Sequence, residues 1–117
     1  EYIAMNNMKT RVYVSMYGMN SLLSFDMDGR RQFTYRPDNL RGPIGVVVDR
    51  YDNIYILGFV SNNIHQLSPD GSVLQVVNTG MLKSPTAICV HQSKDIFIIT
   101  NFSDERAKLK IYTGKLK

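Results

Sequence analysis

The chain has 117 residues, of which 44% are apolar and 21% charged, with a formal net charge of +4. This composition is ordinary for a globular domain and excludes a disordered or fibrous chain. No apolar run approaches the roughly 18 residues that span a bilayer, and no basic-then-apolar leader is visible. The single cysteine, Cys89, cannot form an internal disulfide and fits a reducing compartment. We therefore expect a cytoplasmic protein that does not contact membranes.

A pattern of short apolar runs recurs at a spacing of 42 residues. The central unit contains Ile54-Tyr55-Ile56, which maps to Val12-Tyr13-Val14 upstream and to Ile96-Phe97-Ile98 downstream. Periods of about 40 to 45 residues with four short apolar runs are typical of β-propeller blades. The sequence thus predicts an all-β fold, a β-propeller segment of about three four-stranded antiparallel blades covering approximately residues 1–39, 40–81 and 82–117.

In chain order, the predicted strands cover residues 2–5, 12–17, 22–25, 31–35, 44–48, 54–57, 64–67, 73–77, 86–90, 96–99 and 109–112. The strand at 54–57 is apolar at every position, which indicates burial on both faces. A longer charged loop, residues 104–108, precedes the last strand. Because closed propellers need about four or more blades, we expect the chain to be part of a longer protein.

No residue set predicts a catalytic, metal or cofactor site. Asp26 to Gly29 is similar to the start of a calcium loop, but Arg30 stands at the next ligand position, so a β-turn is predicted. His65 and His91 lie in different units without a suitably spaced carboxylate, which favours structural or exposed roles. Cys89 falls inside a strand and is predicted to be a small buried hydrophobe.

The central unit carries a recognisable motif. Its parts are Pro43-Ile44-Gly45-Val46-Val47-Val48-Asp49, Asp52-Asn53-Ile54-Tyr55-Ile56, Asn63-Ile64-His65-Gln66-Leu67 and Asp70-Gly71. This pattern resembles the NHL repeat, strongly in the middle third of the chain and loosely at both ends. The third unit departs from the pattern by placing Ala87 where the glycine and His91 where the aspartate would stand.

NHL propellers often form the C-terminal domain of tripartite-motif proteins, and residues 61–71 look closest to those of invertebrates. The resemblance implies a binding module, not an enzyme, that selects the substrate of a ubiquitin ligase. Upstream zinc modules would supply the ligase activity and an upstream coiled coil would supply oligomerisation. One cysteine and two histidines cannot build a four-ligand zinc site here. A protein partner is favoured and RNA is the alternative partner. The alternative function is a propeller hydrolase resembling calcium-dependent lactonases.

The two rims of the predicted propeller differ in charge. In an antiparallel meander, the loops between second and third strands share one edge, here called the first rim, with the connections between blades. The first rim has five basic and three acidic residues, and the opposite, second rim has six of each. The candidate partner-binding residues on the first rim are Arg36, Arg41, Lys83, Arg106, Lys108, Tyr17, Phe59 and Phe102. The aromatic members are candidate stacking partners for bases.

Overall fold

The computed structural model describes residues 1–79, 85–93, 96–101 and 108–113, with side chains for all of these except 96–98, 101 and 108–113. The strands are β1 (Tyr2–Met5), β2 (Arg11–Met16), β3 (Ser21–Asp26), β4 (Arg31–Tyr35), β5 (Pro43–Val48), β6 (Ile54–Gly58), β7 (Asn63–Leu67), β8 (Val73–Asn78), β9 (Pro85–Val90), β10 (Ile96–Asn101) and β11 (Lys108–Thr113). A 3-10 turn, Tyr17–Met19, follows β2. Within the described ranges there is no α-helix, and no helix there is long and apolar enough to cross a membrane.

These strands form three antiparallel sheets in which each strand pairs with its neighbours in sequence. The first sheet has the order β1-β2-β3-β4, the second β5-β6-β7-β8, and the third β9-β10-β11. Adjacent sheets touch mainly through β1, β5 and β9, so these strands lie innermost. The predicted all-β propeller segment is therefore confirmed. Sheets stacked radially in this way are the blades of a propeller.

Two hairpins reverse the chain at Asp-Gly pairs. Gly29 and Gly71 adopt φ values of +84° and +92°, which a residue with a side chain rarely tolerates. Asp26 Oδ1 accepts the backbone N–H groups of Asp28 and Arg30, both at 2.9 Å. These side-chain bonds hold the pKa of the Asp26 carboxyl below its usual value, chiefly through the Arg30 N–H. The Asp26 segment is thus the β-turn that the sequence predicts.

The apolar core lies between the sheets. Between the first and second sheets, buried residues from both sides meet; they are Tyr13, Leu22, Tyr35, Leu40, Val46, Ile54, Ile56 and Leu67. Between the second and third sheets, Tyr55, Leu57 and Ile64 pack against Ile88 and Ile99. β6 is buried at every position because alternate side chains enter these two cores. This confirms the prediction of burial on both faces.

The turn that joins the first strand of a sheet to its second strand is here called the inner turn. It is one residue longer in the first and third sheets than in the second sheet. The strand pairs that close these turns are Met5 with Val12, Val48 with Ile54, and Val90 with Phe97. The predicted correspondence of Ile54 with Ile96 is therefore wrong by one residue. In the third sheet, the residue that corresponds to Ile56 is Ile99, which is completely buried and lies on the face toward the second sheet.

The prediction that Cys89 is buried is also wrong. Cys89 is exposed on β9, whereas its strand neighbours Ile88 and Val90 pack against the second sheet. Successive side chains of a strand point to opposite faces, so Cys89 lies on the face turned away from that core. Val47 holds the corresponding position in β5, where the third sheet packs against it.

Candidate partner-binding rim

The first rim is described in three segments, residues 17–20, 36–42 and 59–62. The first follows β2, the second connects β4 to β5, and the third joins β6 to β7. Asn20 and Asn62, which are 42 residues apart, close the two strand-to-strand loops with φ values of 50° and 55°. Asparagine tolerates this left-handed conformation better than most residues. The two loops therefore turn in the same way at the same edge of neighbouring sheets.

Gly42 lies where the three segments meet. Its φ is +57°, and a Cβ atom at this position would stand 2.6 Å from Val60 Cγ2 and 3.0 Å from Tyr17 Cε2. The first distance is shorter than real Cβ contacts and the second is tighter than most of them, so only glycine fits without a shift of Val60 and Tyr17. Close approach at Gly42 brings Tyr17 of the first sheet and Val60 of the second to one continuous surface.

Backbone hydrogen bonds fix the three segments to one another. The Gly42 N–H donates to Asn20 Oδ1 at 2.8 Å, and the Arg41 N–H donates to Ser61 Oγ at 3.1 Å. In the other direction, Phe59 N–H donates to the Gly42 carbonyl at 3.0 Å. The Arg41 carbonyl accepts the N–H groups of Val60 and Ser61 at 3.2 and 3.3 Å. The Asn20 bond ties the loop of the first sheet to the connection, and the other bonds tie the connection to the β6–β7 loop of the second sheet, so the rim surface is held in place by both sheets.

A buried polar cluster supports the connection from below. His65, which is completely buried, places Nδ1 2.6 Å from the Tyr35 hydroxyl and Nε2 3.2 Å from the Asn39 carbonyl. A carbonyl can only accept, so Nε2 carries the proton and the Tyr35 hydroxyl donates to Nδ1. Asn63 Nδ2 donates to the same carbonyl at 2.8 Å. Burial lowers the pKa of His65, partly offset by the Asn39 carbonyl, which fits a neutral structural histidine.

The structure places four of the eight predicted residues with their side chains. Tyr17 is 47% exposed, Arg36 and Arg41 are exposed, and Phe59 is half-buried. Tyr17, Arg41 and Phe59 belong to the segments that meet at Gly42, while Arg36 lies at the start of the connection. Within the described part of the chain, neither Arg36 nor Arg41 forms an ion pair.

The other four predicted residues are described less fully or not at all. Lys83, Phe102 and Arg106 lie outside the described residues. Lys108 was expected in the charged loop at 104–108, and this expectation is wrong because Lys108 is the first residue of β11 and pairs with Asn101. The pairing continues one residue further than the apolar run at 109–112 indicates, because backbone hydrogen bonding does not require an apolar side chain.

Two exposed apolar residues on the first rim were missed by the sequence analysis. Met19 is 48% and Val60 54% exposed, and both sit in loops between second and third strands. The sequence carried a signal, since an apolar residue at a loop position next to Asn20 or Ser61 departs from ordinary turn composition. The approach of Val60 to Tyr17, two residues before Met19, at Gly42 is a feature of the fold that the sequence pattern does not contain.

The second rim uses its polar residues within its own turns. Asp49 Oδ1 accepts the N–H groups of Tyr51 and Asn53 at 2.8 and 3.0 Å. Asn7 of the preceding sheet donates through Nδ2 to Asp52 Oδ1 at 2.7 Å and to the Asp49 carbonyl at 2.8 Å. These contacts tie neighbouring sheets together at their inner turns.

His91 takes the same place in the third sheet that Asp49 takes in the second. Its Nδ1 accepts the Ser93 N–H at 3.1 Å, and the ring is exposed. This is the exposed, turn-forming role that the sequence favours. Among the residues that the structure describes, no group of three or more histidine, cysteine or acidic side chains is placed to hold a metal ion.

The sheets and their stacking define the chain as a β-propeller segment. No family model matches the sequence, and no curated protein matches it. The chain is similar in structure to virginiamycin B lyase from Staphylococcus aureus, with a TM-score of 0.72 and 15% identity over 96% of this chain and 40% of that one. A luciferin-regenerating enzyme gives 0.74 and 17% over 97% and 44%, and a streptogramin B lyase gives 0.72 and 14% over 98% and 40%. At these identities the similarity shows the propeller fold alone.

The chain spans about two-fifths of the length of these propeller structures. One of the lyase structures is described as a catalytically inactive H270A form with quinupristin. The neighbours named here include enzymes, but a propeller supports many unrelated functions.

Proposed function

We propose that this propeller segment is a binding module that recognises a protein partner through the first rim. In this proposal the chain belongs to an NHL-type propeller that selects the substrate of a tripartite-motif-like ubiquitin ligase. One observation carries the choice of rim: Tyr17 and Val60, from different sheets, meet at Gly42 and remain about half exposed. Adjoining exposed apolar side chains, unlike scattered single ones, are a common mark of an interaction site.

The hydrogen bonds around Gly42 support the same proposal. A rigid surface loses little conformational freedom when it binds, so more of the contact energy appears as affinity. The rim segments are cross-linked by Asn20, Ser61 and the backbone of Arg41. Their geometry is therefore set before any partner arrives.

The second rim is poorly suited to catalysis. The alternative, a lactonase-like hydrolase, requires acidic and asparagine side chains that converge on the central channel. Asp49, Asp52 and Asn7 instead direct their side chains into hydrogen bonds within and between the inner turns. Carboxylates that already accept several bonds are poorly placed to serve as open ligands or bases.

Charge reversal on the two rims tests the proposal in the full-length protein. The test variant is Arg36→Glu with Arg41→Glu, and the matched control is Lys9→Glu with Arg30→Glu on the second rim. All four residues are exposed, so the stability of both variants should change by less than about 1 kcal/mol. We expect the first-rim variant to capture at least about tenfold less of its partner, measured by affinity purification and quantitative mass spectrometry.

Two further readouts separate the parts of this proposal. Ubiquitylation of the captured protein should fall in parallel with its capture if the propeller selects a ligase substrate. Cross-linked RNA, measured in the same samples, shows whether RNA is the partner instead. Equal losses from the two charge-reversed variants would mean that only net charge matters and would contradict a recognition rim.

A further inference from the structure

The surface around Gly42 combines apolar side chains with a cation. Tyr17, Met19 and Val60 are 47%, 48% and 54% exposed, and Arg41, next to Gly42 in sequence, is exposed as well. Tyr17 and Val60 approach each other across Gly42. We call these four residues the Gly42 seam. A ligand that crosses the seam would contact both sheets.

The backbone donors beneath the seam are already used. The N–H groups of Arg41, Gly42, Phe59, Val60 and Ser61 all donate to acceptors within the rim. Phosphate groups are commonly bound by clusters of unpaired backbone N–H groups, as in a nest. The seam offers no such cluster among these five amides. Polar contacts between the seam and a ligand must therefore come from side chains. The charged side chain of the seam is the Arg41 guanidinium.

The seam also differs from a surface that binds single-stranded RNA. Such surfaces present several aromatic rings on which successive bases stack, along a strongly basic groove. Within the described part of the first rim, the exposed seam has one aromatic ring, Tyr17, beside the aliphatic side chains of Met19 and Val60. The charged residues of the connection are Arg36, Arg41 and Asp38. Aliphatic side chains bury well against other aliphatic side chains, and a single guanidinium pairs well with one carboxylate.

We infer that the segment bound at the Gly42 seam is an extended peptide in which an acidic residue stands close to aliphatic or aromatic residues. This inference rests on the proposed function, because it specifies the partner of the same rim. The apolar residues of the peptide pack on Tyr17, Met19 and Val60. The acidic residue pairs with Arg41, which forms no ion pair within the described residues.

Selection from two random pools tests the inference. The full-length protein is offered a library of short random peptides displayed on phage and, separately, a randomised single-stranded RNA pool. We expect enrichment of peptides that carry an aspartate or glutamate near aliphatic or aromatic residues. Their affinity is then measured by fluorescence polarisation of the labelled synthetic peptides.

Three variants locate the binding site of the selected peptides. Val60→Ser and Arg41→Glu should each weaken binding about tenfold or more, and Arg41→Lys should recover part of the loss because it restores the charge. The control is Val73→Ser on β8, where the replaced side chain is similarly exposed at 52%. This control should bind as the unchanged protein does.

The outcomes distinguish the inference from the proposed function. Two results would overturn the inference while leaving the first rim as a binding surface. One is peptides without an acidic residue that are sensitive to Val60→Ser, and the other is peptides sensitive to Arg41→Glu but insensitive to Val60→Ser. Enrichment of RNA that is lost with Arg41→Glu but retained with Val60→Ser would overturn the protein partner and keep the rim. If neither pool yields a ligand that depends on the first rim, both the inference and the proposed function are overturned.

Discussion

The first and second sheets place a tyrosine at the same point of their second strands, and both rings are buried. Tyr55 donates its hydroxyl to Asp49 Oδ2 at 2.8 Å and accepts Gln66 Nε2 at 3.1 Å. The Tyr13 hydroxyl has no hydrogen-bond partner among the described residues. Burial, with the nearby Asp52 charge, raises the pKa of Tyr13. The two strands thus have the same pattern, but of the two buried tyrosine hydroxyls only that of Tyr55 has hydrogen-bond partners among the described residues.

The residues around each tyrosine explain the difference. Ser24 stands opposite Tyr13 where Gln66 stands opposite Tyr55, and a serine is too short to reach the hydroxyl. In the inner turn, Asn6 Oδ1 accepts the N–H groups of Thr10 and Arg11, while its Nδ2 donates to Thr10 Oγ1. No atom of Asn6 reaches Tyr13 as Asp49 reaches Tyr55.

Other buried polar side chains show the same contrast between the first and second sheets. Ser15, Ser21 and Ser24 of the first sheet are completely buried, and their hydroxyl oxygens have no partner among the described residues. Burial of such a group without a hydrogen bond costs about 1 to 3 kcal/mol. In the second sheet, Asn63 and His65 are also buried, but both donate to the Asn39 carbonyl. The buried polar side-chain atoms without a partner in the described part of this sheet are the carbonyl oxygens of Gln66 and Gln75. Hydrogen-bond partners in the turns and on the neighbouring strand, rather than the pattern within a strand, therefore decide which sheet is more stable.

The largest expected effect is the loss of the Asp49 side chain. Asp49→Ala removes the acceptor of two backbone N–H groups, the Asn53 amide and the Tyr55 hydroxyl. Bonds to a charged acceptor contribute about 1.5 to 3 kcal/mol each and are not additive. We expect the propeller to lose about 3 to 4 kcal/mol of unfolding free energy, measured by urea denaturation.

Asn6→Ala is the matched change in the first sheet. It removes a neutral acceptor and leaves Tyr13 as it was, so the expected loss is about 1 to 2 kcal/mol. Equal losses from Asp49→Ala and Asn6→Ala would show that the bond to the Tyr55 hydroxyl adds little, and the contrast between the sheets would then fail.

A smaller effect is expected from removing each tyrosine hydroxyl. Tyr55→Phe leaves Gln66 Nε2 without the Tyr55 hydroxyl and removes one of the bonds that Asp49 accepts, so it should cost about 1 to 2 kcal/mol. Tyr13→Phe removes a buried hydroxyl that has no partner among the described residues, so it should be neutral or stabilising by up to about 1 kcal/mol. Both values come from urea denaturation of the two single variants. A loss of stability in Tyr13→Phe equal to that in Tyr55→Phe would contradict the proposed difference.

The sequence carried most of the fold and little of the site. Strands and hairpins were predictable because each depends on residues close together in the chain, such as the Asp28-Gly29 and Asp70-Gly71 turns. The 42-residue spacing did not reveal the extra residue in two inner turns. In the third sheet, β9 and β10 are apolar whether the repeats are aligned with or without that residue. The approach of Tyr17 and Val60 to Gly42 depends on how two sheets stack there, and a pattern within one repeat does not encode that.

The smallest expected effect appears only below neutral pH and concerns His65, whose place in the first sheet is taken by Leu23. Burial lowers the pKa of His65 in the folded protein below its ordinary value of about 6.5. The unfolded chain therefore binds a proton more readily than the folded one as the pH falls through about 6.5. The stabilisation is fully present above that pH and is lost progressively as the pH falls toward and through the folded pKa.

The groups that face His65 do not titrate in this range. Burial raises the pKa of Tyr35 to about 12, so its hydroxyl remains a donor, and Asn39 and Asn63 carry no charge. The carboxyls of Asp26 and Asp70 have lowered pKa values, which places their titration at more acidic pH. The range from about pH 7.5 to about pH 5 should thus report mainly on histidine.

His65→Leu, which copies Leu23, is the variant for this test. It should be less stable than the unchanged protein at about pH 7.5, because the Tyr35 hydroxyl loses its acceptor. Between about pH 7.5 and about pH 5, its unfolding free energy should nevertheless fall less than that of the unchanged protein. The reason is that the variant has no buried imidazole that takes up a proton more readily in the unfolded chain. Urea denaturation at several pH values measures both slopes. The same slope in the two proteins would mean that His65 contributes nothing to acid sensitivity.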